Sequence, residues 1–285
     1  MRWLVTGASG LLGREIVSRL RASGAEVRAA GRTELDVRDE RAVAEAVEGV
    51  DVVLGCAAWT KVDEAEAHEP EAFSVNATGA AVLARAANRA GARLLHVSTD
   101  YVFSGDASEP YREEDEPSPV SAYGRSKAAG EKAVLEEGHL VVRTAWLYGA
   151  HGPCFPRTIA RLVRERGGVR VVADQVGQPT WAADVARVLV DLARTEAPAG
   201  IYHATSAGRT TWHGFALAVV AAAGLDPGVV EPCTTAEMPR PAPRPAWSVL
   251  GCEALARVGV EAIGPWEERW AEAAAAVLDK ADTTV

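Results

Sequence analysis

Residues 5–16 read VTGASGLLGREI and place Gly7, Gly10 and Gly13 at intervals of three. The apolar run RWLVT precedes them and an amphipathic run, LLGREIVSRLRASG, follows. Such glycine spacing is weak on its own and strong between a strand and a helix. Gly7 permits the tight turn, Gly10 lets backbone approach a pyrophosphate, and Gly13 lets the helix pack close to the sheet. Leu11 and Leu12 open the helix within the same cradle, whose free N–H groups and positive dipole end suit phosphate. A glycine turn with no ligand is the plain alternative.

The first half alternates short apolar runs with helical patterns. Strands are expected at RWLVTG, EVRAAG, DVVLGCAA, RLLHVSTDYVF and HLVVRTAWLYG. Helices are expected at LLGREIVSRLRASG, ERAVAEAVEGV, PEAFSVNATGAAVLARAANRAG and AYGRSKAAGEKAVLEEG. That alternation implies an α/β fold with a parallel sheet covered on both faces, which also suits strands lacking polar alternation. Beyond residue 150 the pattern loosens. FPRTIARLVRERG and WHGFALAVVAAAG read as helices, RVVADQVGQPT and AGIYHATSAG as short strands. EPCTTAEMPRPAPRPAWS reads as an extended loop, and PWEERWAEAAAAVLDKADTTV as a helix with a frayed tail. The expected organisation is a Rossmann-type doubly wound domain over residues 1–150 and a smaller substrate-binding domain over 151–285. The two interleave, with residues around 169–200 returning to the sheet.

A formal charge of −9 without a basic run argues against a nucleic-acid surface. Cys56, Cys154, Cys233 and Cys252 form no C-x-x-C pair and read as reduced thiols. The N-terminus has no signal-peptide pattern and no apolar run reaches membrane-spanning length, so a cytoplasmic protein is expected.

Two further features bear on chemistry. An acidic residue ending the second strand would hold the ribose 2′-hydroxyl of NAD. Here that strand runs into GRTELDV, where Arg32 comes first and suits a 2′-phosphate, so NADPH is preferred. Glu34 and Asp36 follow closely and keep NADH open. In SAYGRSKAAGE, Tyr123 precedes Lys127 by four residues, one turn of a helix. An ammonium beside a phenol lowers its pKa, and the pair could then hand a proton to a substrate oxygen. Thr99 ends the preceding strand at the carboxyl edge of the sheet, where such folds bind ligands.

The blocks GASGLLG, CAAWTKVDEAE, VNATG, STDYVFSGD, PYREEDEPSPVSAYGRSKAAGE, VVRTAWLYG, DQVGQPT, GIYHATSAGRTTWHGFA and RPAWS resemble, in order and over nearly the whole chain, an extended short-chain dehydrogenase/reductase. More narrowly, the chain resembles the dTDP-4-dehydrorhamnose reductases and related nucleotide-sugar 4-ketoreductases. The resemblance implies that Tyr123 protonates the sugar ketone oxygen, that Lys127 holds the nicotinamide ribose and lowers the Tyr123 pKa, and that Thr99 donates to the same oxygen. It implies sugar-side roles for Val62, Asp100, Tyr101 and Trp146, and a nucleotide-side role for Arg244. Ala57, Ala58 and Thr60 match the edge under the cofactor, and Asp36 and Val37 match the adenine contact.

Two positions depart from the family pattern. Cys154 stands where asparagine is common, and Trp59 replaces a smaller polar ring; both bear on the particular sugar. Glu15 matches an acidic position of a magnesium-linked dimer contact in some members, but no metal is expected from one glutamate, and a homodimer stays open. The expected partner is a dTDP-sugar. The expected reaction is NADPH-dependent reduction of a dTDP-4-keto-6-deoxyhexose, giving dTDP-L-rhamnose or a related deoxysugar nucleotide. A non-catalytic NADP-binding regulatory subunit and a nucleotide-sugar epimerase are the alternatives.

Overall fold

In a computed structural model of the chain, residues 1–279 are described. Five strands come from the first half: β1 (Arg2–Thr6), β2 (Glu26–Ala30), β3 (Val52–Gly55), β4 (Arg93–Thr99) and β5 (Leu140–Thr144). A sixth, Gly200–His203, joins them in one wholly parallel sheet. From one edge to the other the order is β2, β1, β3, β4, β5, Gly200–His203. The order reverses between β1 and β3, so the crevice beyond their carboxyl ends is the place for a ligand.

Alternate side chains of the apolar strands feed two separate cores. Trp3, Val5, Val52, Leu54, Leu95, Leu140 and Val142 face helices Leu11–Ala22 and Ala182–Ala193. Leu4, Val53, Leu94 and Val141 face Glu40–Val47, Gly79–Ala90 and Ala122–Glu136. Burial on both faces is why these strands carry no polar alternation.

The long third helix expected from PEAFSVNATGAAVLARAANRAG is continuous but not uniform. Helix Glu69–Phe73 passes through a π-helical turn, Ser74–Thr78, before Gly79–Ala90. A short unforeseen helix, Val62–Ala67, comes before it. The fifth expected strand also breaks. After Thr144 the chain turns at Trp146, whose φ of 43° makes it the one non-glycine residue in the left-handed region among those described. It resumes as Leu147–Tyr148, which pairs with Thr180–Trp181.

The second lobe has a third core, built on Tyr148, Ile159, Val163, Phe215, Val219, Trp266, Trp270 and Val277. Helices Phe155–Arg166, Trp212–Ala222 and Trp266–Leu278 supply most of it. Strand Val169–Val172 stays in this lobe, paired with Val230–Cys233. The chain rejoins the large sheet over Ala182–His203, and Leu255, Val260 and Ile263 pack there too. Thus the chain returns to the first lobe twice after leaving it. The tail expected after the last helix, residues 280–285, lies outside the described residues. Among the described residues no helix is long and apolar enough to cross a membrane.

Candidate active site

The glycine turn lies at the reversal between β1 and β3. Gly7 has φ +64°, and a Cβ there would sit 2.7 Å from the Ala57 nitrogen and the Cys56 carbonyl carbon. A Cβ at Gly13 would run into the Gly7 carbonyl oxygen. Both clashes are with backbone atoms, and no rotamer can relieve either. Helix Leu11–Ala22 begins without a side-chain cap and with no acidic residue in its first turn. Uncapped N–H groups and a dipole end facing a space shaped by backbone fit a dinucleotide pyrophosphate. Gly13→Ala is expected to cost about 1–3 kcal/mol of stability, as overpacking does, and to weaken NADPH binding. Urea denaturation and a fluorescence titration with NADPH check this; unchanged affinity contradicts the cradle.

The other cofactor-side positions divide. Leu11 is half-buried and Leu12 buried in the core beside β1. Ala57 and Ala58 are half-buried at the end of β3, where the Ala57 N–H donates to Thr6 Oγ1 at 3.3 Å; Thr60 is exposed. Arg32 is exposed past the end of β2. The Asp36 carboxylate is bidentate with Arg38, at 2.8 and 2.6 Å. The Arg38 bonds hold its carboxyl down at about 2, with Arg32 adding a smaller share. Val37 is buried against Gly79, where a Cβ would meet it at 2.7 Å. Glu34 sits beside Gly31 and Ser9, so one carboxylate lies near the Arg32 turn.

Tyr123 and Lys127 open the Ala122–Glu136 helix, which Ser121 caps by accepting the Gly124 N–H at 3.1 Å. A Cβ at Gly124 would strike the Tyr101 carbonyl oxygen, so the helix start is pressed against the end of β4. Both side chains are buried, as are Thr99 and Asp100, and the latter two lie beside the Tyr123 phenol. Asn76 fastens this corner. Protruding from the π-helical turn, it accepts the Trp59 N–H at 2.8 Å and donates to the Trp59 carbonyl at 3.1 Å and Ser126 Oγ at 2.9 Å. Ser126 in turn donates to the Tyr123 carbonyl at 2.8 Å. Asn76 lies in the VNATG block, but its partners are 17 and 50 residues away and left no local signal.

The electrostatics differ from the simple phenol–ammonium pair. Lys127 Nζ donates to the Val97 carbonyl at 2.7 Å and lies 3.2 Å from His96 Nε2. Burial pushes its ammonium down to about 8, against Glu131 and Cys56, which pull it up. Burial and Lys127 hold His96 well below its usual value, so it is the neutral acceptor of that bond. The phenol of Tyr123 is pushed above its ordinary value by burial, which outweighs the Thr99 hydroxyl. The expected lowering of the phenol by Lys127 is therefore absent in the protein by itself. The ammonium is turned onto the strand, and desolvation dominates.

Outside this corner, a cavity of about 720 Å³ opens between the lobes, lined by Val62, Tyr101, Arg166, Arg170, Trp212 and Arg240 among others, with Arg244 at its wall. Four arginines line this cleft in an acidic protein, and Arg170 is paired with Glu237 at 2.6 Å. Arg244 Nη2 donates to Asp63 Oδ1 at 2.9 Å and Nη1 to the Ala242 carbonyl at 2.8 Å, with its guanidinium 6.0 Å from the Tyr101 ring centre. Asp63 also accepts the Ala242 N–H at 3.2 Å and pairs with Arg240 at 3.8 Å. Trp146 is half-buried and stacks on Trp212, centroids 3.6 Å apart and planes 8° from parallel. Its left-handed backbone is costly for a bulky residue, and such strain gathers at functional sites. Cys154 is buried with Sγ 3.7 Å from the Gly149 carbonyl, and Trp59 Nε1 donates to the Lys61 carbonyl at 3.1 Å. Glu15 faces His151, 3.8 Å away. Arg166, Arg170, Arg240, Asp63 and Trp212 had not been singled out; the only hint was arginine interleaved with proline in PRPAPRP.

Residues 1–279 match the family described as the RmlD substrate binding domain. A dTDP-4-dehydrorhamnose reductase of Streptomyces griseus is 46% identical, over 100% of this chain and 96% of the relative. A dTDP-4-keto-6-deoxy-D-glucose reductase of Streptomyces niveus is 44% identical, over 93% of each. The crystal structure of a Bacillus anthracis dTDP-4-dehydrorhamnose reductase in complex with NADP superposes with a TM-score of 0.90 at 36% identity, covering 95% of this chain and 98% of that one. With the family matched over residues 1–279 and the likeness running nearly the full length of the relatives, the chain belongs to the dTDP-4-dehydrorhamnose reductase family.

Proposed function

We propose that this protein is an NADPH-dependent oxidoreductase that reduces the 4-keto group of a dTDP-4-keto-6-deoxyhexose, in the formation of dTDP-L-rhamnose or a related deoxysugar nucleotide. The observation that carries the reading is that Thr99 and the Tyr123 phenol meet, both buried, at the carboxyl edge of the sheet, with Lys127 buried one turn along the same helix. A bound reduced nicotinamide supplies the hydride. Tyr123 Oη gives its proton to the ketone oxygen as that oxygen becomes an alkoxide. A phenol pushed up by burial holds its proton at neutral pH, as a proton donor must. Thr99 Oγ1 donates to the same oxygen and stabilises its developing charge. Lys127, cationic below about 8, holds the ribose hydroxyls.

The arginines of the cleft suit the diphosphate of a nucleotide sugar, which a guanidinium grips through paired hydrogen bonds. Asp63 holds Arg244 and Arg240 ready for it. Val62, Asp100, Tyr101 and Trp146 border the sugar, and Trp146 does so from its stack on Trp212. Arg32 takes the 2′-phosphate of NADPH; Glu34 close by leaves room for NADH. Ala57, Ala58 and Thr60 lie under the dinucleotide, with Asp36 and Val37 toward its adenine. The four free thiols suit a reducing cytoplasm.

Incubation with NADPH and dTDP-4-keto-6-deoxyglucose, with and without a 3,5-epimerase, tests the reading. Net NADPH oxidation is expected, and a requirement for the epimerase marks dTDP-L-rhamnose as product. Binding of NADPH without turnover on any 4-keto sugar nucleotide favours the regulatory-subunit alternative. Sugar isomerisation with no net NADPH oxidation favours an epimerase.

A further inference from the structure

Thr99 has one hydroxyl proton, and two acceptors compete for it once a ketone enters the site. Its Oγ1 lies 2.9 Å from Asp100 Oδ1 and already accepts the Tyr101 N–H at 3.2 Å. An ionised carboxylate can only accept, so against it Thr99 must donate and its proton is spent. A neutral carboxyl carries its own proton to Thr99 Oγ1, and the Thr99 proton is then free for the ketone oxygen.

The surroundings of Asp100 favour the neutral form. The residue is 2% exposed, and its Oδ2 makes no hydrogen bond. Thr99 and Tyr101 face it from its own turn, Tyr123 from the helix and Ser248 from the late loop. None of these is a cation. The nearby guanidinium, Arg244, lies over the Tyr101 ring and is paired with Asp63. Burial pushes the carboxyl up to about 7, against the Ser248 and Thr99 hydroxyls and the N–H groups of Asp100 and Tyr101. A buried carboxylate with no cation against it is costly, and where burial outweighs its hydrogen bonds it neutralises instead.

We propose that Asp100 is a positioning residue that acts as a neutral acid, donating to Thr99 Oγ1 and so turning the Thr99 hydroxyl onto the ketone oxygen. This rests on the reading of Thr99 and Tyr123 as the groups that meet that oxygen. The carboxyl proton stays on Asp100 throughout, and the proton of the product hydroxyl comes from Tyr123. Ionisation of Asp100 draws the Thr99 proton back and removes one donor from the alkoxide, which is worth about 10²-fold or more in kcat. The fall runs toward high pH, because the neutral form is the one present below the raised pKa.

The test is kcat against pH for the wild type, Asp100→Asn and Thr99→Val, each normalised to its own acid plateau. NADPH binding followed by fluorescence reports on folding. The wild type is expected to fall about 10²-fold to a lower level as pH passes about 7. In Asp100→Asn that fall disappears, because an amide N–H donates to Thr99 at every pH. In Thr99→Val it shrinks to a few-fold. A fall shared by all three near 8 belongs to Lys127.

A protonated-carboxyl infrared band in the wild type, absent from Asp100→Asn, should titrate at the same midpoint. The proposal is overturned if Asp100→Asn keeps the wild-type fall, or binds NADPH and turns over nothing. If that variant does not bind NADPH, Thr99→Val and the infrared titration decide. A full-sized fall in the first, or no carboxyl titrating with kcat in the second, ends it. A wild type that oxidises no NADPH with a 4-keto sugar nucleotide at any pH instead removes the underlying reading.

Discussion

Tyr123→Phe lowers ketone reduction by about 10²–10⁴-fold, the usual worth of a positioned general acid, and leaves NADPH binding in place. The substitution removes one oxygen from a buried corner and little else. The ring stays packed with Ala65, Ala72 and Ala122, and edge-on to Tyr101 at 6.1 Å between centroids. The phenol held its proton because burial outweighed the Thr99 hydroxyl. Its loss therefore takes away a proton and no charge, so the fold and the dinucleotide cradle have no reason to change. Steady-state turnover with a dTDP-4-keto sugar, beside an NADPH titration and circular dichroism, separates these effects. Turnover equal to wild type contradicts the assignment of Tyr123 as the acid.

The parts legible in the sequence were those whose cause is local. The glycine cradle could be read because one backbone turn demands Gly7 and its helix demands Gly13. The sheet could be read because strands covered on both faces lose polar alternation, as Trp3, Leu4 and Val5 do by feeding opposite cores. Tyr123 and Lys127 could be paired because a helix puts them one turn apart. What escaped depends on distant partners. Lys127 spends two of its three donors on His96 and Val97, about thirty residues back, which the four-residue spacing cannot reveal. Trp146 meets Trp212, and Asp63 meets Arg240 and Arg244, only when the second lobe folds over the sheet. Val169–Val172 read as a strand, but strand character does not choose a sheet, and its partner was Val230–Cys233.

Glu131→Gln should be the costliest polar substitution near the site, at about 3–5 kcal/mol of stability, the range for breaking a buried ion pair from one side. Glu131 takes Arg143 Nε at 2.9 Å and Nη2 at 2.7 Å, and the two side chains are 2% and 0% exposed. Among the described residues Arg143 pairs with no other anion. Phe103 offers only a ring face at 4.8 Å, and His203, 3.4 Å away, is held down at about 3 by burial and by Arg143 itself. The amide thus leaves a buried guanidinium uncompensated. Glu131 also lies one turn beyond Lys127 and is the largest influence holding that ammonium up toward about 8. Without it the Lys127 proton leaves at lower pH, so ribose binding weakens earlier as pH rises. The double variant Glu131→Leu/Arg143→Leu separates the two effects. Removing both charges is expected to recover most of the stability, as apolar replacements of buried pairs often do. The NADPH affinity profile should stay shifted to lower pH, because nothing restores the negative charge near Lys127. Urea denaturation and NADPH titrations across pH measure the two independently. Recovery of both together in the double variant shows that Glu131 serves the fold alone.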